Sequence, residues 1–149
     1  MIANSIIWLE PIIPFVNTQI MDYKSLADFI PRSDVNGDFV FGEKKTIVSS
    51  KISINDIISK LILVKDPELS INIYDLGLIY DIQIDNANNI KIIMTLTTVN
   101  CPVADSFPID VAKKINELPE VGQINIKLTF EPPWNKDMMS EDARLALGY

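Results

Sequence analysis

The sequence predicts an α/β fold: a two-layer sandwich in which a small mixed three-stranded sheet carries helices on one face, with an N-terminal extension ahead of it. Three observations predict it. Apolar residues recur at helical spacing over residues 54–62 and again over 107–118, the mark of a helix with one buried face. They alternate at a period of two over 78–85, 90–97 and 124–130, as in strands. The second strand runs into the second helix and the third strand follows. Strand, helix, strand in one sheet takes a right-handed crossover, so those two strands run parallel.

Residues 1–50 form the extension, of unknown role, and 51–149 the domain. Within the extension, Ile6-Ile7-Trp8-Leu9 reads as a short buried strand. Leu26, Phe29 and Ile30 read as a helical turn ending at Pro31. Asn36-Gly37 is a hairpin turn signal ahead of Phe39-Val40-Phe41. Asp34, Asn36 and Asp38 resemble the start of a calcium loop, but the glycine offset is wrong and Glu43 comes too early for the twelfth position. A plain turn is the better reading.

In the domain, Ser53 and Asp56 make an N-cap with an acidic first turn. Ile54, Ile57, Ile58, Leu61 and Ile62 then mark an amphipathic helix to about Val64, stopped ahead of Pro67. Asp66-Pro67-Glu68 is a loop, and Asp75-Leu76-Gly77 a tight turn that glycine permits. The first strand sets Leu78, Tyr80, Ile82 and Ile84 on one face and Ile79, Asp81, Gln83 and Asp85 on the other. The polar turn at Asn86–Asn89 joins it to the strand Ile90–Thr97 as an antiparallel hairpin. The second helix spans about Ser106 to Leu118, with Pro108 in its first turn. Ile124, Ile126, Leu128 and Phe130 form the third strand. Pro132 and Pro133 then hold the chain out of the sheet up to a short helix capped by Ser140 and closed by Gly148.

Composition excludes several function classes. Hydrophobic residues make up 48%, enough for a packed core. A formal charge of −7 argues against a nucleic-acid partner, which needs a basic face. No span has the roughly 20 apolar residues that cross a bilayer. Met1–Val16 lacks a basic residue and holds Pro11 and Pro14, a poor secretory signal. One cysteine allows no intramolecular disulfide and fits a reducing compartment, so the expected location is cytoplasmic. The chain has no histidine, hence no Ser–His or Cys–His pair of its own.

The chemistry left concentrates on Thr95-Leu96-Thr97-Thr98-Val99-Asn100-Cys101-Pro102, where the period changes from strand to helix. Cys101 stands in a strand-to-helix loop, where free N–H groups favour an anion and ease ionisation of a thiol. A lone cysteine also serves as an inert small hydrophobe. The loops after the first helix, second strand and third strand are expected to meet at one end of the domain. That gathers Glu68, Asp75, Thr97, Cys101 and Trp134. Glu68 and Asp75 could face a metal; alternatively Asp66 and Asp75 cap nearby N–H groups and Glu68 is solvated. Thr95 and Thr97 could donate to a thiolate or simply suit a strand. Trp134, beside Pro133, reads either as a docking anchor for a partner or as a lid over the core. Met138 and Met139 read as packing residues.

Taken together, Asp66-Pro67-Glu68, Asp75-Leu76-Gly77-Leu78-Ile79-Tyr80, Thr95-Leu96-Thr97-Thr98 with Cys101-Pro102, and Glu131-Pro132-Pro133-Trp134 with Met138-Met139-Ser140 resemble a known family in order and spacing. It is the small iron–sulfur assembly domain that includes the T maturation factor of the sulfur-mobilisation system and the D protein of the phenylacetate-oxygenase cluster. The resemblance covers roughly residues 52–149. It implies a maturation factor that carries or delivers iron, sulfur or an iron–sulfur cluster, with assembly proteins and recipient apoproteins as partners. It carries over Glu68, Asp75, Thr97 and Cys101 as the site. The cysteine-rich tail of the phenylacetate relatives is missing, so that specific role is disfavoured.

One thiolate cannot hold a cluster, which wants about four protein ligands. Cys101 therefore needs ligands from a second chain, from glutathione-like thiols or from a recipient, and a homodimer facing two Cys101 thiols is the simplest arrangement. Three functions compete: a maturation factor acting through Cys101, an adaptor that holds no metal, and a hydrolase or transferase. The last lacks any nucleophile–base pair or glycine-rich phosphate loop, so a non-enzymatic role is expected.

Overall fold

The computed structural model describes residues 32–33, 38–98 and 106–149. In chain order the elements are β1 (Arg32–Ser33), β2 (Asp38–Phe41), α1 (Ile54–Leu61), β3 (Ile79–Ile84), β4 (Ile90–Met94), α2 (Phe107–Ile115), β5 (Ile124–Leu128) and α3 (Glu141–Ala146). The expected strand at Ile6–Leu9, the turn at Leu26–Pro31 and the Asn36-Gly37 turn lie outside the described residues. β1 and β2, which flank that turn, pair antiparallel.

The sheet order is β1-β2-β5-β4-β3. β3 pairs antiparallel with β4, and β4 pairs parallel with β5, as the hairpin and the crossover require. The sheet is larger than the three strands expected. β2 adds a fourth, antiparallel to β5, with the two-residue β1 outside it. β2 comes from the segment that the sequence sets apart as an extension. A four-residue strand whose partner lies over eighty residues away leaves only a faint local signal.

The register explains the layers. Phe41, Ile124, Ile90 and Ile84 form one rung, and Phe39, Ile126, Ile92 and Ile82 the next, all on the face the helices cover. The rung between them, Val40, Asn125, Lys91 and Gln83, faces the other way. α1 packs on β3 and α2, and α2 on β2 and β5. One apolar cluster joins the layers, built on Phe41, Ile57, Leu61, Leu76, Ile92, Met94, Val111, Ile115 and Ile126.

α1 begins as expected. Ser53 accepts from the Asp56 N–H and the Asp56 carboxylate accepts from the Ser53 N–H, a reciprocal capping box. It ends at Leu61 rather than near Val64, because the Leu63 and Val64 N–H groups close with tighter three-residue bonds to the Lys60 and Leu61 carbonyls. α2 is likewise shorter than expected at both ends, Phe107–Ile115. A bulge at Ile79–Asp81 corrects the faces assigned to β3: the extra residue puts Ile79, with Ile82 and Ile84, on the helix side opposite Met94. Among the described residues, no helix is long and apolar enough to cross a membrane.

Candidate functional site

Apart from Cys101-Pro102, which lies outside the described residues, the motifs that carry the resemblance meet in three dimensions. Asp66 is buried, and its Oδ1 accepts from the N–H groups of Glu68 and Leu69 at 2.9 Å each. That local bond shapes the Asp-Pro-Glu loop and leaves the Glu68 side chain exposed. The turn Asp75–Gly77 is fixed twice over. Asn72 Oδ1 accepts from the Asp75 N–H at 2.8 Å, while Asn72 Nδ2 donates to Asp75 Oδ2 at 2.6 Å.

The C-terminal segment clasps this turn. Trp134 Nε1 donates to the Leu76 carbonyl at 2.8 Å, the Ser140 N–H donates to the Asp75 carbonyl at 2.8 Å, and Tyr80 Oη donates to the Pro132 carbonyl at 2.7 Å. Gly77, at φ +70°, lies so close to the Met138 backbone that a Cβ there would sit 2.1 Å from its carbonyl oxygen. Met139 is buried in the core and Met138 is half-buried, which fits the packing role expected of them.

The clasp builds one wall of a cavity of about 200 Å³. Glu68 and Leu69 come to it from the loop after α1, Thr97 and Thr98 from the end of β4, and Trp134, Lys136 and Met139 from the clasp. Leu147 and Tyr149 close it from the C-terminal helix. Lys136 Nζ sits 3.6 Å from the Tyr149 ring centroid, a cation–π contact at the rim. The lining is therefore largely apolar and aromatic, with the Glu68 carboxylate, the Lys136 ammonium and the Thr97 and Thr98 hydroxyls beside the Tyr149 phenol.

Of the residues singled out from sequence, the structure brings Glu68, Thr97 and Trp134 together on this cavity. It does not bring Asp75 there, whose carboxylate is engaged by Asn72. Pro133 is exposed beside Trp134 and does not line it. Thr95 is fully buried, and its hydroxyl has no hydrogen-bond partner among the described residues. Cys101 lies outside the described residues. Among the described residues, no three carboxylates, cysteines or histidines group in metal-binding fashion. The sequence reading missed Leu69, Lys136, Leu147 and Tyr149 as lining residues. Leu69 and Lys136 carried only the signal of proximity in sequence to Glu68 and Trp134, and Leu147 and Tyr149 carried none.

The carboxylates held below their usual range are structural and stand away from the cavity. Hydrogen bonds from Ser53 lower Asp56, and bonds from Asn89 lower Asp85. Lys114 and Lys60 lower Glu117, and Ser49 and Ser50 lower Glu120.

Residues 54–127 match the family described as iron-sulfur cluster assembly protein. A relative in Porphyromonas gingivalis, an Fe-S protein maturation auxiliary factor, is 49% identical over 94 residues, which is 63% of this chain and 90% of that protein. The chain belongs to the iron–sulfur cluster assembly protein family. The Fe-S protein maturation auxiliary factor SufT of Staphylococcus aureus is 40% identical over 58% of this chain and 98% of its own. A crystal structure of a domain of unknown function from Bacillus anthracis superposes with a TM-score of 0.61 at 42% identity, covering 63% of this chain and 90% of that one. The family match takes in α1, β3, β4 and α2 and ends within β5. β2, the clasp and part of the cavity wall lie outside it.

Proposed function

We propose that this chain is a non-catalytic, cytoplasmic iron–sulfur maturation factor. It helps carry or deliver iron, sulfur or clusters to recipient apoproteins through Cys101. The observation that carries the reading is the convergence of Glu68, Thr97 and Trp134 on one cavity, at the end of the strand whose following loop contains Cys101. The Cys101 thiolate supplies one ligand to the cargo, and the ligands it lacks come from a second chain or a recipient. The Trp134 side of the cavity, apolar with a charged rim, suits docking of a recipient segment.

A second reading is an adaptor that binds assembly proteins and recipients and holds no metal. The engagement of Asp75 by Asn72 favours it, since that takes one proposed carboxylate ligand away from the cavity. Anaerobic reconstitution with iron and sulfide, followed by assay of both per chain, separates the two. The maturation-factor reading expects retained iron that Cys101→Ser abolishes, together with loss of recipient activation. Iron that does not stay on the wild-type chain overturns carriage and leaves the adaptor.

A further inference from the structure

The geometry points to self-association through the β3 edge of the domain, with a second copy of this chain as the occupant. Two observations converge there. The first is on α1. Ile57 and Leu61 are buried, yet Ile54 and Ile62 are 46% and 42% exposed and Ile58 is half-buried. At 100° per residue, Ile54, Ile58 and Ile62 form a second aliphatic stripe beside the buried one. Lys60 lies on the opposite flank of the buried stripe and pairs with Glu117 beyond the end of α2, at 2.9 Å. The Ile54–Ile58–Ile62 stripe thus faces away from α2. Since α2 covers β2 and β5 and α1 covers β3, away from α2 means toward the β3 edge.

The second is on β3, the outermost strand on that side among the described residues. The Asp85 N–H donates to the Asn89 carbonyl, and the register runs Ile84↔Ile90, Gln83↔Lys91, Ile82↔Ile92. Hydrogen-bonded pairs alternate in an antiparallel ladder. Asp81, Gln83 and Asp85 therefore direct their backbone groups at β4, and Ile82 and Ile84 direct theirs outward. Aspartates on an edge strand guard it against most partners. Antiparallel pairing of two β3 strands about a two-fold axis at Ile82 meets no such obstacle. It sets Ile82 against Ile82 and Asp81 against Gln83 of the second copy, with no like charges directly opposed. Gln83 Nε2 already donates to Asp81 Oδ2 within one chain, at 2.6 Å, so the two side chains are suited to bond across the axis. The same axis brings the two α1 stripes together antiparallel, over Ile82 and Ile84, in the isologous manner of a closed dimer.

The two β4 strands end at opposite extremes of the joint sheet. This inference does not rest on metal binding.

Sedimentation of the full chain from micromolar to millimolar concentration tests it. Expected is a reversible species of twice the 16.8 kDa chain mass. Gln83→Asp, which opposes Asp81 with a like charge, is expected to weaken association about tenfold or more. The pair Asp81→Lys with Gln83→Asp is expected to restore it. Ile54→Lys with Ile62→Lys, at exposed positions, is expected to give monomer with an unchanged circular dichroism spectrum. A wild-type chain that stays monomeric throughout overturns the inference. So does a dimer that all these variants leave intact.

Discussion

At the scale of single residues, Gly77 makes the closest approach of any described glycine. Its φ of +70° suits glycine, and the Met138 carbonyl occupies the place of a side chain. Gly77→Ala must either push the clasp away or distort the turn, at a cost of about 1–3 kcal/mol. Thermal unfolding should show the loss. Trp134 fluorescence should shift as its bond to the Leu76 carbonyl lengthens, and an unchanged melting temperature would refute the close approach. Residue-scale reading of the sequence succeeded where chemistry is local. Ser53, Asp66 and Ser140 all accept the backbone N–H groups their positions call for. It left Asp75 open between two roles, because an aspartate in a tight turn looks the same in sequence whether its carboxylate faces a cavity or the Asn72 amide three residues back.

Elements were legible to the degree that their signals were periodic and their partners near. α1, α2 and the β3–β4 hairpin follow from runs of isoleucine, leucine and valine at the helical or strand period, and the parallel β4–β5 pair follows from chirality alone. The bulge at Tyr80 was not legible, since it depends on the register with β4. Nor was the strap formed by residues 42–53. It is held by Asn88, Asn89 and Glu120: Asn88 Oδ1 accepts from the Ile52 N–H at 3.1 Å, and the Glu120 carboxylate accepts from the N–H groups of Ser49 and Ser50 at 2.7 Å each. The bond from the Ser49 hydroxyl, with those from the Ser50 and Ser49 N–H groups, holds Glu120 below its ordinary pKa. A carboxylate lowered on folding contributes stability that is present above its unfolded pKa and lost as pH falls through its folded one. The melting temperature should therefore drop as pH is lowered below about 4.5. Glu120→Gln should start lower near neutrality and lose less on acidification. Parallel pH profiles for the two proteins would show that Glu120 does not anchor the strap.

For the whole molecule, the boundary of the folding unit is at issue. The sequence divides the chain near residue 50, and the family match begins at residue 54, yet the sheet takes β2 from residues 38–41. Phe41 is 2% exposed, and its rung partner Ile124 is buried in the same core. Removing residues 1–50 would uncover the β5 edge, delete Phe39 and Phe41 from the apolar face, and leave the Asn88 amide N–H without the Ser50 carbonyl and the Glu120 carboxylate without its Ser49 and Ser50 donors. Loss of one buried phenylalanine alone costs about 3–5 kcal/mol. In a domain of this size each kcal/mol shifts the melting temperature by several degrees. A chain beginning at Lys51 should melt at least about 10 °C below the full chain and aggregate through the opened β5 edge. A chain beginning at Pro31, which keeps β1 and β2, should melt well above the chain beginning at Lys51. If the short chain melts with the full one, β2 is an accessory strand, and the fold is complete in the segment the family shares.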